Sequence, residues 1–368
     1  MSQAAGPPGP APQVLANLQV MRFVAAAMVL VHHLELELAS PRLGAALHDL
    51  SAIEWSIGVD AFFMVSGFIM YVLARDHFAE PGFSLQFLKR RLMRVTPLYW
   101  LFTSLMIALI TLSPGAINHA DLSAGRILGS YLFIPWPRAG GDVYPILGLG
   151  WTLNYEIEFY LALALALCLP LRRGLTSLMV GFIGVVALGA LLPHDWFALR
   201  FWTDPIILEF LAGIGFAHLY LKGLRLSWFW RLGFIALGLC LSSATTHLRM
   251  IDAVPRPIWG GLPAACIFAG ICLGEQPAKI GPVLRAVILG GDASYALYLS
   301  HMFSIRALTT VWTHLHLQSP LLYLAAGLIL ATAVAIVVHL ALERPVLEAL
   351  KRALAGRGPG ERPGEASR

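Results

Sequence analysis

Charge is what this chain is shortest of. Only 13% of its 368 residues are Asp, Glu, Lys or Arg, against about a quarter in soluble domains. Hydrophobic residues make up 58% and the mean hydropathy is +0.71, which excludes an ordinary soluble domain. The four cysteines, Cys168, Cys240, Cys266 and Cys272, all fall in apolar runs with no CxxC pair and no neighbouring histidines. They read as free core thiols, and no metal site is expected. No Gly-x-Ser-x-Gly turn is present to expose a serine nucleophile, and no internal repeat is visible. The first sixteen residues contain no Lys or Arg and are rich in Pro, Gly and Ala. They read as a disordered tail rather than a signal peptide, and 351–368 read the same way.

What the chain has instead is a series of apolar runs near twenty residues long, at about 18–38, 56–74, 95–113, 146–170, 175–193, 204–222, 228–246, 257–274, 286–306 and 321–343. Runs of that length span a bilayer as helices. The expectation is an all-α polytopic bundle of about ten transmembrane helices, forming one membrane domain over 17–350 in contact with lipid. The stretch 126–134 is too short to cross. Alternating the loops between two sides puts eighteen Lys and Arg on one side, among them Lys89, Arg90, Arg91, Arg94 and Lys351, and seven on the other. That skew orients the bundle with both termini in the cytoplasm. It also accounts for the isoelectric point of 9.1 without a nucleic-acid partner, because the cations sit in short loops rather than in a stripe.

Ionisable residues inside such runs mark functional sites by default. The first run carries Arg22 near its start and His32-His33 near its end, with no polar side chain between. At ~100° per residue, His33 returns to within about 20° of Arg22's face and lies ~16 Å further along, while His32 points about 80° away. Arg22 and His33 therefore share a stripe. The second run opens with Asp60, positioned to orient His33 or bind a substrate, and Ser66-Gly67 within it reads as a close-packing site between helices. Arg91 and Arg94 lie three apart on one helical face, and guanidinium groups suit a polyanionic ligand. In the fourth run, Glu156 shares a face with Thr152 and Tyr160, whereas Glu158 points ~200° away. In the ninth, Ser294, Tyr298 and His301 form one polar strip. Pro345, after Glu343-Arg344, marks the expected end of the last regular helix.

Taken in order, these residues resemble the acyltransferase 3 family of integral membrane acyltransferases. The similarity runs from about Leu18 to Pro345. Its elements are Arg22 and His33 for Arg-x10-His; Gly58-Val59-Asp60-x-Phe62-Phe63-x-x-Ser66-Gly67-Phe68; Arg91-x-x-Arg94 ahead of Pro97; and the Ser-Tyr-x-x-Tyr-Leu-x-His of Ser294 to His301. Trp151-Thr152-Leu153-Asn154-Tyr155-Glu156, with Phe159-Tyr160, is similar to the exopolysaccharide-production subgroup. Many relatives carry a soluble domain after the last span, and none is expected here.

The resemblance implies transfer of an acyl group, usually acetyl from acetyl-CoA, to a hydroxyl of a cell-surface carbohydrate that can be lipid-linked, at a bacterial inner membrane. The chemistry needs no permanently bound cofactor. His33 suits the general base, and Arg22 the donor phosphates or a developing oxyanion. Arg91 and Arg94 suit donor binding, and Asp60 or Glu156 the orientation of the imidazole. Ser66, Trp151, Tyr160, Tyr298 and His301 are expected to line the cavity. A second class, a proton-coupled transporter of a small organic anion or glycan precursor, also places Arg, His and acids inside a bundle. The missing repeat and the cationic pair favour the enzyme.

Overall fold

A computed structural model describes residues 16–43, 52–112, 121–137 and 141–355. The two expected tails lie outside these residues apart from Ala16 and 351–355, and the latter continue the last helix. Every regular element described is helical, with no strand among the described residues. The α-helices are α1 (Ala16–Leu38), α2 (Gly58–Ala74), α3 (Phe83–Leu112), α4 (Ala124–Leu132), α5 (Trp151–Ala166), α6 (Leu171–Gly189), α7 (Phe197–Trp202), α8 (Leu208–Leu221), α9 (Trp228–His247), α10 (Leu262–Cys272), α11 (Pro282–Asp292), α12 (Ser294–His314), α13 (Pro320–Val338) and α14 (Arg344–Ala355).

Among the described residues, seven segments are long and apolar enough to cross a membrane: Ala16–Leu38, Trp55–His77, Phe83–Leu112, Leu171–Gly189, Phe197–Leu221, Trp228–His247 and Pro320–Ala353. The other three expected runs form shorter or more polar helices. α5 has 16 residues and carries Asn154, Glu156 and Glu158. α10 has eleven and follows a π-turn at Pro257–Gly261. The ninth run breaks at Asp292-Ala293 into α11 and α12, and α12 carries hydroxyls and an imidazole along a buried face. The stretch 126–134 forms α4, nine residues long.

In lipid, helices associate through close packing of small residues rather than through exclusion of apolar surface from water. α2 and α8 do this reciprocally. A Cβ on Gly67 would sit 2.0 Å from the Phe210 carbonyl oxygen, and one on Gly213 would sit 2.1 Å from that of Met64. Gly67 thus packs helix against helix, as its sequence context predicts. α1 is held the same way by Gly58, whose Cβ would meet the Ala25 carbonyl, and by Gly291 against Gln19. α1 belongs to two apolar clusters at once. Met21, Ala25 and Met28 pack with α2 and α10, and Leu30, Leu34 and Leu38 pack in the larger cluster with α12 and α13.

Pro345 does not end the last helix. A π-turn over His339–Glu343 precedes it, and the chain continues as α14. Proline is tolerated in a first helical turn, where its missing N–H is not needed. α14 is amphipathic and packs on the start of α3.

Candidate active site

α1, α2, α3, α5, α12 and α14 enclose a cavity of about 970 Å³. On α2 its wall runs from Val59 to Leu73, fourteen residues and therefore ~21 Å along the axis. Its mouth is formed by exposed Gln86, Lys89, Arg90 and Lys351, and its deep end by Phe62, Thr152 and Tyr298. Phe62 and Tyr298 meet edge to face there with ring centroids 6.0 Å apart.

Electrostatically the cavity is one-sided. Arg22, Lys89, Arg90, Arg91, Arg94 and Lys351 line it, with Glu156 as the acid among them. Arg22 donates from Nη1 to Gln19 Oε1 at 2.9 Å. Arg91 lies 5.9 Å from the Phe87 ring centroid, and its buried Nε has no hydrogen-bond partner. A buried guanidinium N–H without an acceptor costs roughly 1–3 kcal/mol or more, which an anionic ligand would relieve. Glu156 accepts from Ser66 Oγ at 3.3 Å and from the Tyr160 hydroxyl. The Tyr298 hydroxyl lies 2.8 Å from Thr152 Oγ1 and 3.0 Å from the Leu149 carbonyl. Of the residues singled out in the sequence, Arg22, Ser66, Arg91, Arg94, Glu156, Tyr160 and Tyr298 thus converge on one cavity.

His33, His301, Trp151 and Asp60 are not on that wall. His33 and His301 meet one helical turn beyond Tyr298, with ring centroids 4.9 Å apart. His33 Nδ1 is 2.8 Å from the Val29 carbonyl oxygen. A carbonyl only accepts, so Nδ1 carries the hydrogen and Nε2 keeps its lone pair. This corrects the expected orienting role of an acid. Neither Asp60 nor Glu156 holds the imidazole, because the α1 backbone one turn back already does. His32 turns the other way, with Nδ1 3.4 Å from Glu54 Oε1.

Asp60 is fully buried and fork-paired with Arg256, Nε to Oδ1 at 3.1 Å and Nη2 to Oδ2 at 2.9 Å. The guanidinium lies 4.8 Å from the Trp259 ring and 5.6 Å from that of Trp151. Trp151 is therefore a wall of this pair rather than of the cavity. The π-turn at Pro257–Gly261 makes the approach possible, since a Cβ on Gly260 would stand 2.5 Å from Asp60 Oδ1. Sequence reasoning missed Arg256 as a partner, because 196 residues separate it from Asp60. It also missed Lys351 as a cavity residue by placing it in a tail. The amphipathic spacing of Val346, Leu347, Leu350 and Lys351 was the available signal.

The acyltransferase-domain profile of the acyltransferase 3 family matches residues 15–340. The exopolysaccharide production protein ExoZ of Rhizobium meliloti (strain 1021) is 31% identical over 295 residues, covering 79% of this chain and 89% of its own. The acyltransferase MdmB of Streptomyces mycarofaciens is 27% identical over 324 residues, covering 79% of each chain. Nodulation protein 10 of Rhizobium leguminosarum bv. viciae is 27% identical over 323 residues, covering 80% of this chain and 84% of its own. No solved structure matches the chain. The profile covers nearly all of the helical bundle, and the chain belongs to the acyltransferase 3 family of integral membrane acyltransferases.

Proposed function

We propose that this acyltransferase moves an acyl group, acetyl in the first instance, from acyl-CoA to a hydroxyl of a cell-surface or exopolysaccharide carbohydrate. The observation that carries this reading is the cation-lined cavity with the unpartnered Arg91 Nε. Six cations against one carboxylate suit a ligand with several phosphate charges, and guanidinium groups bind phosphate bidentately. The depth of the cavity suits a thioester carried on a flexible arm, with phosphates at the mouth and the acyl carbon at the deep end near Tyr298. The carbohydrate acceptor is supported by the name of ExoZ, an exopolysaccharide production protein.

In the reaction, the acceptor hydroxyl gives its proton to His33 Nε2 as its oxygen bonds to the acyl carbon. The C–S bond then breaks, and the thiolate leaves and is protonated, so that an ester and a free thiol result. We place the protein in a bacterial inner membrane with both termini cytoplasmic, on the strength of the Lys and Arg distribution. The cavity mouth then faces the compartment that supplies acyl-CoA. The test is acyl transfer from labelled acetyl-CoA by the purified protein in lipid nanodiscs, with release of free thiol, to polysaccharide from cells lacking the protein. Labelled polysaccharide and stoichiometric thiol are expected. The absence of both acyl transfer and acetyl-CoA binding would refute the proposal.

A further inference from the structure

α2 and α8 run side by side in the same direction. Phe63 meets Phe210 near their starts, with ring centroids 4.7 Å apart, and the Tyr71 hydroxyl lies 3.3 Å from His218 Nδ1 near their ends. Each helix carries an acid in its first turn, Asp60 on α2 and Glu209 on α8. Both acids are buried, 0% and 2% exposed. The π-turn brings a glycine to each: a Cβ on Gly260 would stand 2.5 Å from Asp60 Oδ1, and one on Gly261 would stand 3.1 Å from Glu209 Oε1. The two carboxyl groups differ in what they receive. Asp60 has the Arg256 fork, one donor to each oxygen. Neither oxygen of Glu209 meets a donor, whether from a guanidinium or from the backbone of its own first turn. What lies within hydrogen-bonding reach of Glu209 is the carboxyl group of Asp60.

An ionised carboxylate only accepts hydrogen bonds. Two of them in contact cannot bond to each other, and in a dry site both charges cannot persist. One proton between them resolves this. The other charged groups facing Glu209 are Arg256 and Asp204. Arg256 is committed to Asp60. Asp204, just ahead of α8, is a third acid and accepts from the Ile206 N–H at 2.9 Å. α6 also packs on α8, but it brings its end there, Gly189 against Thr203, and its charged residues, Arg172 and Arg173, lie at its other end. We infer that Glu209 and Asp60 form a proton-binding site, in which Glu209 is a neutral carboxylic acid that donates its O–H to the Asp60 carboxylate. The proton turns a like-charge contact into a hydrogen bond and closes the seam between α2 and α8 where both helices begin. It also leaves one carboxylate for one guanidinium, so the cluster of Arg256, Asp60 and Glu209 is neutral as a whole. Neither acyl-CoA nor a carbohydrate enters this chemistry, and the site stands whether or not the proposed function does.

Proton release on unfolding tests this with the full chain in detergent. At neutral pH an unfolded glutamate is ionised, so unfolding the parent frees the proton held by Glu209. Glu209→Gln keeps the shape and the donor but has no proton to lose. Its unfolding should therefore release about one proton fewer than the parent's, as read by calorimetry in buffers of different ionisation enthalpy. The variant should also melt within about 5 °C of the parent. Equal proton release from the two proteins overturns the inference. So does failure of Glu209→Gln to fold, because an amide replaces a neutral acid closely and still donates. Infrared spectra of the unmodified protein, labelled with ¹³C at the glutamate side-chain carboxyl, supply a check that needs no variant. A protonated glutamate C=O stretch is expected at neutral pH, and its absence overturns the inference. The same band left undiminished in Glu209→Gln overturns it as well.

Discussion

Removing Arg91 asks the cation-lined cavity what it is for. Its Nε is buried without an acceptor, its guanidinium lies over the Phe87 ring, and Arg94 stands beside it on α3. A hydrogen bond to a charged group contributes about 1.5–3 kcal/mol, and each 1.4 kcal/mol is a factor of ten. Arg91→Ala should therefore raise the KM for acetyl-CoA about ten- to a hundredfold. The other five cations remain, so binding should weaken rather than vanish. The contact is made alike to the bound donor and in the transition state, which leaves kcat nearly unchanged. Arg91→Lys keeps the charge but loses the fork, and should fall between parent and alanine. Lys351→Glu reverses a charge at the rim, and should raise KM more at low salt than at high salt. Initial-rate kinetics of thiol release in nanodiscs, at two ionic strengths, measure all of this. Alanine variants at Arg91 and Arg94 with unchanged donor KM and parental thermal stability would refute the donor assignment and leave these cations as lipid anchors.

Other outcomes follow from the same geometry. His33→Ala should lower turnover by about two to four orders of magnitude, whereas His32→Ala, which removes only an edge contact and a partner for Glu54, should stay within about tenfold; purified variants of matched stability decide between them. Asp60→Asn strands the partly buried Arg256 guanidinium and should destabilise the protein by about 3–5 kcal/mol, much of which Asp60→Asn combined with Arg256→Met should restore, as read by unfolding in detergent. Gly67→Ala drives a methyl into the Phe210 carbonyl and should cost about 1–3 kcal/mol or more, while Gly181→Ala, which meets nothing within 4 Å, should be neutral or mildly stabilising. Reporters placed after Arg352 and within 76–90 should both read cytoplasm, and an outer reading of either refutes the proposed orientation.

Helical phase was informative within one helix and silent between helices. Thr152, Glu156 and Tyr160 do share the cavity face of α5, and Gly67 does pack a helix, because both properties depend on positions three or four apart. Arg22 and His33 illustrate the limit. They share a stripe of α1, yet Arg22 lines the cavity and His33 lies just beyond the deep end marked by Phe62 and Tyr298. Nothing in α1 encodes where the cavity lining stops. The partner of Asp60 was equally hidden, since ion pairing across 196 residues depends on how α2 meets the π-turn before α10. The π-turns themselves carry no period that could be read ahead of the structure. The polar helices α5 and α12 diverge from the expected spans for a related reason: polar side chains that line an interior dilute the apolar character that marks a membrane span. The transporter alternative drew on those same residues, and family membership decides for the enzyme.

α1 also fixes a length. From Arg22 to His33 the helix runs without a break or a proline, so backbone hydrogen bonds set their separation at ~16 Å, and no side-chain adjustment can alter it. Both ends are clamped, by Gln19 packed on Gly291 and by Leu34 packed on Gly327. The helix is thus a rigid gauge between the Arg22 guanidinium and the His33 imidazole. Under the proposed function, a donor anchored at the first would be measured by how far its reactive carbon reaches toward the second. The gauge cannot be reset in small steps. Inserting or deleting one residue between the two changes the length by only ~1.5 Å but swings one end round by ~100°, taking either Arg22 out of the cavity or His33 away from His301. Reach and register are therefore locked together. Such a scaffold can change its acyl group or its acceptor by altering the walls, but it must keep this interval as it is.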